Sequence, residues 1–215
     1  MSSLTETISI PTGQRAIDGL ATDKIRLVTI GASTGSPNLL RNILSNLPAD
    51  LRVPILVAQH MPPRFTESLA RSIARDAALT VHHAEEGMPV LPGVVYIARG
   101  HQHMSVWRGD GTRPKLHLSP EPVEKIYRPS ADVLFDSADE VYPGRVLSVV
   151  MSGIGTDGVE GATRVRRSGG VVIAQHPDSC VIYGMPRACD RAGVSNASLT
   201  PEEIRLALLR FASPA

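Results

Sequence analysis

The sequence predicts an α/β protein with a doubly wound, mostly parallel sheet carrying helices on both faces. Two observations carry that expectation. Short apolar, β-branched runs alternate with segments whose apolar residues recur at helical spacing. Glycine-bearing turns stand where strand passes into helix, and parallel strands need such crossovers, which supply the two covering layers.

Residues 25–30 form the first strand, ending at Gly31, and Leu39, Leu40, Ile43, Leu44 and Leu47 mark the helix after it. Residues 54–58 make a second strand, followed by Phe65, Leu69 and Ile73 in a helix that runs to Asp76. Residues 79–83, 94–97, 104–107 and 115–118 are brief and punctuated by Gly and Pro, so they read as meandering strands that add an antiparallel β-hairpin edge to the sheet. A helix over 130–141, a strand over 145–151, a helix over 159–168 and a strand over 171–175 resume the alternation. A short helix over 186–192 precedes a last one over 201–211, which has Pro201 in its first turn.

The chain has 215 residues, 42% apolar and 20% charged, which suits one globular domain with a real core and excludes wholesale disorder. Twenty-two basic residues against 21 acidic ones leave a net charge of +1, so nothing general draws the chain to nucleic acid or anionic lipid. Two cysteines, Cys180 and Cys189, make no disulfide framework, and a reducing, cytoplasmic setting is expected. Residues 1–23 have neither a basic start nor an apolar run, and read as a flexible tail before a domain over 24–215.

Ligand-facing groups in open α/β sheets sit just past the carboxyl ends of strands. The first such turn, Gly31-Ala32-Ser33-Thr34-Gly35, fits the Gly-x-Ser-x-Gly nucleophile elbow, with Ser33 near backbone amides at a helix start. The same residues also suit tight packing and helix capping. His60 follows the second strand in the equivalent position, where it could meet Ser33 as a base. The third turn holds Gly153-x-Gly155-x-x-Gly158, with Asp178 20 residues further on, a full match to a dinucleotide-binding fingerprint. Asp157 argues against that rival, because its carboxylate would repel a pyrophosphate in the same turn. It suits a Ser-His-Asp triad instead, accepting the Nδ1–H of His60 while Nε2 takes the Ser33 proton. Capping of the following helix is the plainer role open to Asp157.

Together these turns resemble the catalytic domain of the protein-glutamate methylesterases of bacterial chemotaxis, the CheB type. The resemblance rests on Ile30 to Gly35, Gln59 to Pro63, Arg128-Pro129-Ser130, Gly153 to Gly158 and Tyr183 to Arg187, in the family's order, and covers the chain from Lys24 onward. It implies hydrolysis of glutamate methyl esters on the cytoplasmic segments of transmembrane chemoreceptors, with release of methanol, and deamidation of receptor glutamines. It implies no cofactor, no metal, no nucleic acid and no membrane insertion. By the family pattern Ser33 is the nucleophile, His60 the general base and Asp157 the orienting carboxylate. Thr34 and Ile154 fall at the oxyanion-binding amides, and Arg128, Gly184 and Met185 at the substrate cleft, with a buried ion pair the other role open to Arg128.

Departures from the family pattern carry expectations of their own. Residues 1–23 are too few for the phosphoacceptor receiver domain of the commoner family form, so control by phosphorylation in cis is not expected. Ser36 replaces a usual second glycine, and Ile154 a frequent methionine. Two other readings remain open at this point: an oxidoreductase built on Gly153, Gly155, Gly158 and Asp178, and a non-catalytic receptor-binding module. The pairs His82-His83 and His101/His103 have no Cys or carboxylate cluster to complete a metal site, and read as solvated strand edges.

Overall fold

The computed structural model describes residues 10–212. Strands β1 (Leu27–Ala32), β2 (Ile55–Gln59), β3 (Thr80–His83), β4 (Val94–Ile97), β7 (Val146–Val150), β8 (Val171–Gln175) and β9 (Ala197–Leu199) form one sheet in the order β3-β4-β2-β1-β7-β8-β9. Every neighbouring pair is parallel. After β1 the chain winds towards β2, and after β7 it winds the other way, so the order reverses between these two adjacent strands. Such a reversal splays the adjoining turns apart and leaves a crevice at the carboxyl edge.

Both faces are covered. Helices α1 (Gly13–Asp18), α2 (Pro37–Ser45), α3 (Pro63–Asp76) and α7 (Pro201–Leu209) pack with Val28, Ile30 and Ala32 of β1 in one core. Helices α4 (Ala131–Val141), α5 (Val159–Arg167) and α6 (Met185–Arg191) pack with Leu27 on the other. The alternation along β1 is that of a strand whose side chains point to opposite faces. On the α4 face Gly31 has no side chain, and a β-carbon there would stand 2.6 Å from that of Ala131. That gap lets the start of α4 lie directly against β1, next to the turn that carries Ser33.

Strands β5 (His103–Trp107) and β6 (Lys115–Ser119) pair antiparallel, as the sequence predicts, but as a separate two-stranded sheet, whereas β3 and β4, read with them as part of an antiparallel edge, join the main sheet in parallel. The main sheet ends at β3. Met104, Val106 and Leu116 belong to the core around α4, and the Val106 amide donates to Ser137 Oγ at 3.1 Å. The hairpin therefore lies over a helix, because its apolar face needs a cover that a sheet edge would not give.

The flexible tail expected over 1–23 is corrected where it is described, residues 1–9 lying outside the described residues. Residues 10–23 include α1, with Ala16, Ile17 and Leu20 buried. Ser198 donates its amide to the Pro11 carbonyl, and Arg210 Nη1 reaches the Ile17 carbonyl at 2.6 Å. A six-residue helix is too short for periodicity to reveal, and its burial comes from α7 and β9.

Helix α7 begins with a full capping box: Thr200 Oγ1 accepts from the Glu203 amide, and the Glu203 carboxylate accepts from the Thr200 amide at 2.8 Å. Thr200→Ala should lower stability by about 1 kcal/mol. A urea denaturation curve with unchanged slope and a lower midpoint is the expected result.

Candidate active site

The sheet ladder itself places the three turns. The His60 amide donates to the Ala32 carbonyl at 2.8 Å, Met151 to Gly31 at 2.9 Å, and Ser33 to Ser152 at 3.0 Å. Hydrogen bonds thus continue past the ends of β1, β2 and β7, so the residues beyond those ends inherit the strands' register.

Further polar contacts lock the Ser33 turn. The Gln59 side chain donates to the Ser33 carbonyl at 2.9 Å, and Ser36 Oγ donates to the Ser152 carbonyl at 2.8 Å. Ser152 Oγ reaches the Thr34 carbonyl at 2.8 Å, while the Ser152 amide is held by Gln175 Oε1 at 2.8 Å. Ser36, the departure from the family pattern, is fully buried and ties the first turn to the third. Ser152 and Gln175 carry no motif that would mark them in a sequence, and Gln59 belongs to the stretch around His60 without a role of its own being expected there.

Close approach of these turns requires glycine at 153, where a β-carbon would collide with the Ser33 β-carbon and lie 2.5 Å from Met185 Sδ. Gly153→Ala should therefore displace Ser33 and cost about 1–3 kcal/mol. Thermal unfolding together with the labelling rate of Ser33 by a fluorophosphonate measures both effects, and unchanged labelling would count against the packing argument.

His60 Nε2 lies 2.7 Å from Asp157 Oδ2, with both side chains almost wholly buried. This corrects the expected arrangement, in which Nδ1 met the carboxylate: Nδ1 is instead buried and unpartnered. Which nitrogen faces the acid depends on the ring's rotamer, which sequence does not encode.

Asp157 also accepts from Ser130 Oγ at 2.7 Å and from the amides of Ala131 at 2.7 Å and Asp132 at 3.1 Å. It thereby sits at the start of α4, where a helix favours negative charge. Burial alone would raise its pKa, but the bonds from His60, Ser130 and the Ala131 amide outweigh burial and bring it down to about 2. The helix that Asp157 caps is α4, not the following α5. Asp132 returns the arrangement, its Oδ1 accepting from the Gly158 and Gly161 amides at 2.8 and 3.0 Å. Burial first, and the Asp157 charge after it, hold the Asp132 carboxyl above its ordinary value.

That reciprocal capping also disposes of the dinucleotide reading. The amides at the start of α5 that would receive a pyrophosphate are taken by Asp132, and Asp157 adds a charge beside them. Asp178 is 92% exposed, in a 3-10 turn after β8.

A cavity of about 610 Å³ opens on the assembled turns, lined by Ser33, Thr34, His60, Arg128 and Ile154, with Met61, Pro62, His101, Ile126 and Tyr127 around them. The amides of Thr34 and Ile154 donate to no acceptor among the described residues. Arg128 makes no ion pair among them either, and its Nη2 holds the Val123 carbonyl at 2.6 Å. The expected cleft residues Gly184 and Met185 do not line the cavity. Met185 is fully buried beneath Gly153, and Gly184 abuts the Gly153 carbonyl, so this pair supports the turn from behind. Tyr127 carries no motif in the sequence, yet it stands at the cavity wall, in a stretch between two prolines that reads only as loop.

No group of three or more potential metal ligands occurs among the described residues. His103 is buried, with Nδ1 accepting the Ser130 amide and Nε2 donating to the Pro122 carbonyl, and His83 Nε2 meets Thr66 Oγ1. For His83 and His103 these are structural contacts, not the solvated edge that the sequence suggests, whereas His82 and His101 are exposed as expected.

A family model described as CheB methylesterase matches residues 28–208. The chain is 44% identical over 180 residues to a protein-glutamate methylesterase/protein-glutamine glutaminase of Caulobacter vibrioides, covering 84% of this chain and 52% of the relative. It is 42% identical over 184 residues to one of Myxococcus xanthus, covering 86% and 52%. The chain therefore spans about half the length of the curated relatives it matches. The crystal structure of the Thermotoga maritima CheB methylesterase catalytic domain superposes with a TM-score of 0.83 at 38% identity, covering 86% of this chain and 98% of that one.

Proposed function

The chain belongs to the CheB methylesterase family, and from that membership we propose that it hydrolyses glutamate 5-O-methyl esters on chemoreceptor proteins and deamidates receptor glutamines at the same centre. The observation that carries this reading is the buried His60–Asp157 pair, with Nδ1 unclaimed, in the cavity that Ser33 lines.

In this mechanism Ser33 Oγ attacks the side-chain carbonyl of the methylated glutamate, and His60 Nδ1 takes its proton. Asp157 holds the Nε2–H and offsets the charge of the imidazolium. The oxygen that becomes negative lies against the Thr34 and Ile154 amides, each donor being worth about 3 kcal/mol in the transition state. The imidazolium then protonates departing methoxide, leaving an acyl-Ser33 ester. A water activated by His60 cleaves that ester and frees the glutamate. A glutamine undergoes the same steps with ammonia as the leaving group.

Residues 24–215 are the catalytic unit in this reading, with residues 10–23 packed on it. Arg128 faces the cavity without a counter-ion among the described residues and would lie against the bound peptide. In this reading the partners are the cytoplasmic segments of the receptors and the activity is cytoplasmic. No helix among the described residues is long and apolar enough to cross a membrane. A non-catalytic binding module would leave the unclaimed His60 Nδ1 and the two unclaimed amides, all at one cavity, without a role.

Incubation with membranes bearing methylated receptors tests the proposal. Methanol in the headspace, and receptor peptides with glutamate in place of glutamine by mass spectrometry, are expected. Receptor binding with no methanol would replace the hydrolase by a binding module.

A further inference from the structure

Tyr127 has no part in the steps of ester hydrolysis, yet its ring lies flat on His60. The two centroids are 4.2 Å apart and the planes differ by 5°. The phenol also reaches over Gly155, where a β-carbon would stand 3.0 Å from the Tyr127 hydroxyl. Gly155 has φ +91°, so it supplies both the turn's left-handed backbone and the space the phenol fills.

His60 needs a constraint of this kind. Its imidazole is held at Nε2 by Asp157, and Nδ1 has no partner. One hydrogen bond fixes a point and leaves the ring free to pivot about it, whereas a base must keep its free nitrogen within hydrogen-bonding reach of the nucleophile. An aromatic ring stacked in a parallel plane fixes the orientation of the imidazole and keeps water from one face. Tyr127 is itself anchored through its neighbours on the carboxyl side. The Arg128 carbonyl accepts the His101 amide at 3.1 Å, and Ser130 joins His103 and Asp157 at the start of α4.

We propose that Tyr127 is a positioning residue whose ring face sets the plane of the His60 imidazole and whose hydroxyl edge abuts the turn carrying the Ile154 amide. The proposal rests on the reading of Ser33 and His60 as nucleophile and base. The ring face provides the constraint, so the hydroxyl is dispensable.

The full chain with Tyr127→Phe, Tyr127→Leu and Tyr127→Ala tests this by three readouts: fluorophosphonate labelling of Ser33, kcat and KM for methanol release, and the NMR shift of the His60 Cε1 proton. The wild type and Tyr127→Phe should show that proton displaced by the aromatic ring current, with kcat within about threefold of each other. Tyr127→Leu and Tyr127→Ala should lose the displacement and fall about 10- to 100-fold in labelling and kcat, with KM little changed. Leu keeps much of the apolar contact, so it guards against a misfolded Ala variant. Wild-type rates in Leu and Ala would overturn the proposal, as would a loss in Phe equal to that in Ala, or a change in KM alone. A wild type that neither labels nor releases methanol overturns the underlying mechanism, whereas an active wild type with indifferent variants overturns only the role of Tyr127.

Discussion

Ser33→Ala is expected to abolish methanol release, with kcat falling by about 10⁶-fold, while the protein remains folded. The two halves of that expectation have separate grounds. On the proposed mechanism, loss of the Ser33 hydroxyl removes the covalent route altogether, and the amides of Thr34 and Ile154 would stabilise only what residual attack by water remains. Stability should change by less than about 0.5 kcal/mol, because the hydroxyl serves the cavity and not the core. The contacts that hold the turn involve the Ser33 backbone, through the Ser152 carbonyl and Gln59. Single-turnover methanol assays and thermal unfolding of the same sample read both. Retained activity in a folded Ser33→Ala protein would remove Ser33 from the nucleophile's place.

Asp157→Asn should be costly in both respects. For activity, the proposed mechanism has the amide leave His60 without a charge to stabilise its protonated form, and a loss of about 10⁴-fold in kcat is expected. For stability, the carboxylate accepts four hydrogen bonds, two on each oxygen. An amide presents only one acceptor atom, so the donors facing its NH2 group are left buried and unpaired, at a cost of about 1–3 kcal/mol each.

The pH dependence comes from the same carboxylate. Its pKa in the folded protein, about 2, lies below the ordinary value of 3.8. A depressed carboxylate contributes stability that is fully present above its unfolded pKa and is lost as pH falls through the folded one. The window is therefore from about pH 4 down to about pH 2, with about 2 kcal/mol at stake. Stability plotted against pH should fall steeply across that window in the wild type and less steeply in Asp157→Asn. An equal acid sensitivity in both would assign the effect to other groups.

The parallel sheet and most of its helices were legible because strands buried on both faces stand out as apolar runs, and amphipathic helices as periodic ones. Three exceptions share a physical cause. Helix α1, strand β9 and the seat of the hairpin are short elements whose place is decided by burial against α7, β8 and α4, at distances in the chain that local pattern does not reach. At the site, Ser33, His60 and Asp157 announced themselves by position after strands. The residues that hold them did not: Ser152, Asp132 and Tyr127 act through contacts made across the sheet edge, and Met185 looked like cleft while lying beneath it. The rival fingerprint failed for a reason equally invisible in the chain, since Asp132 reaches the start of α5 from another helix.

The mutual capping of α4 and α5 changes what natural variation can do to this centre. Active-site residues are commonly kept at the expense of the fold, so a search for heat resistance tends to erode them. Asp157 escapes that conflict, because the carboxylate proposed to steady the base also caps the start of α4. A population selected only for thermal endurance, with no demand for catalysis, should drift at Ser33 and His60 and still retain an acid at 157. A lineage that kept Asp157 after losing its chemistry would remain a short distance from recovering it.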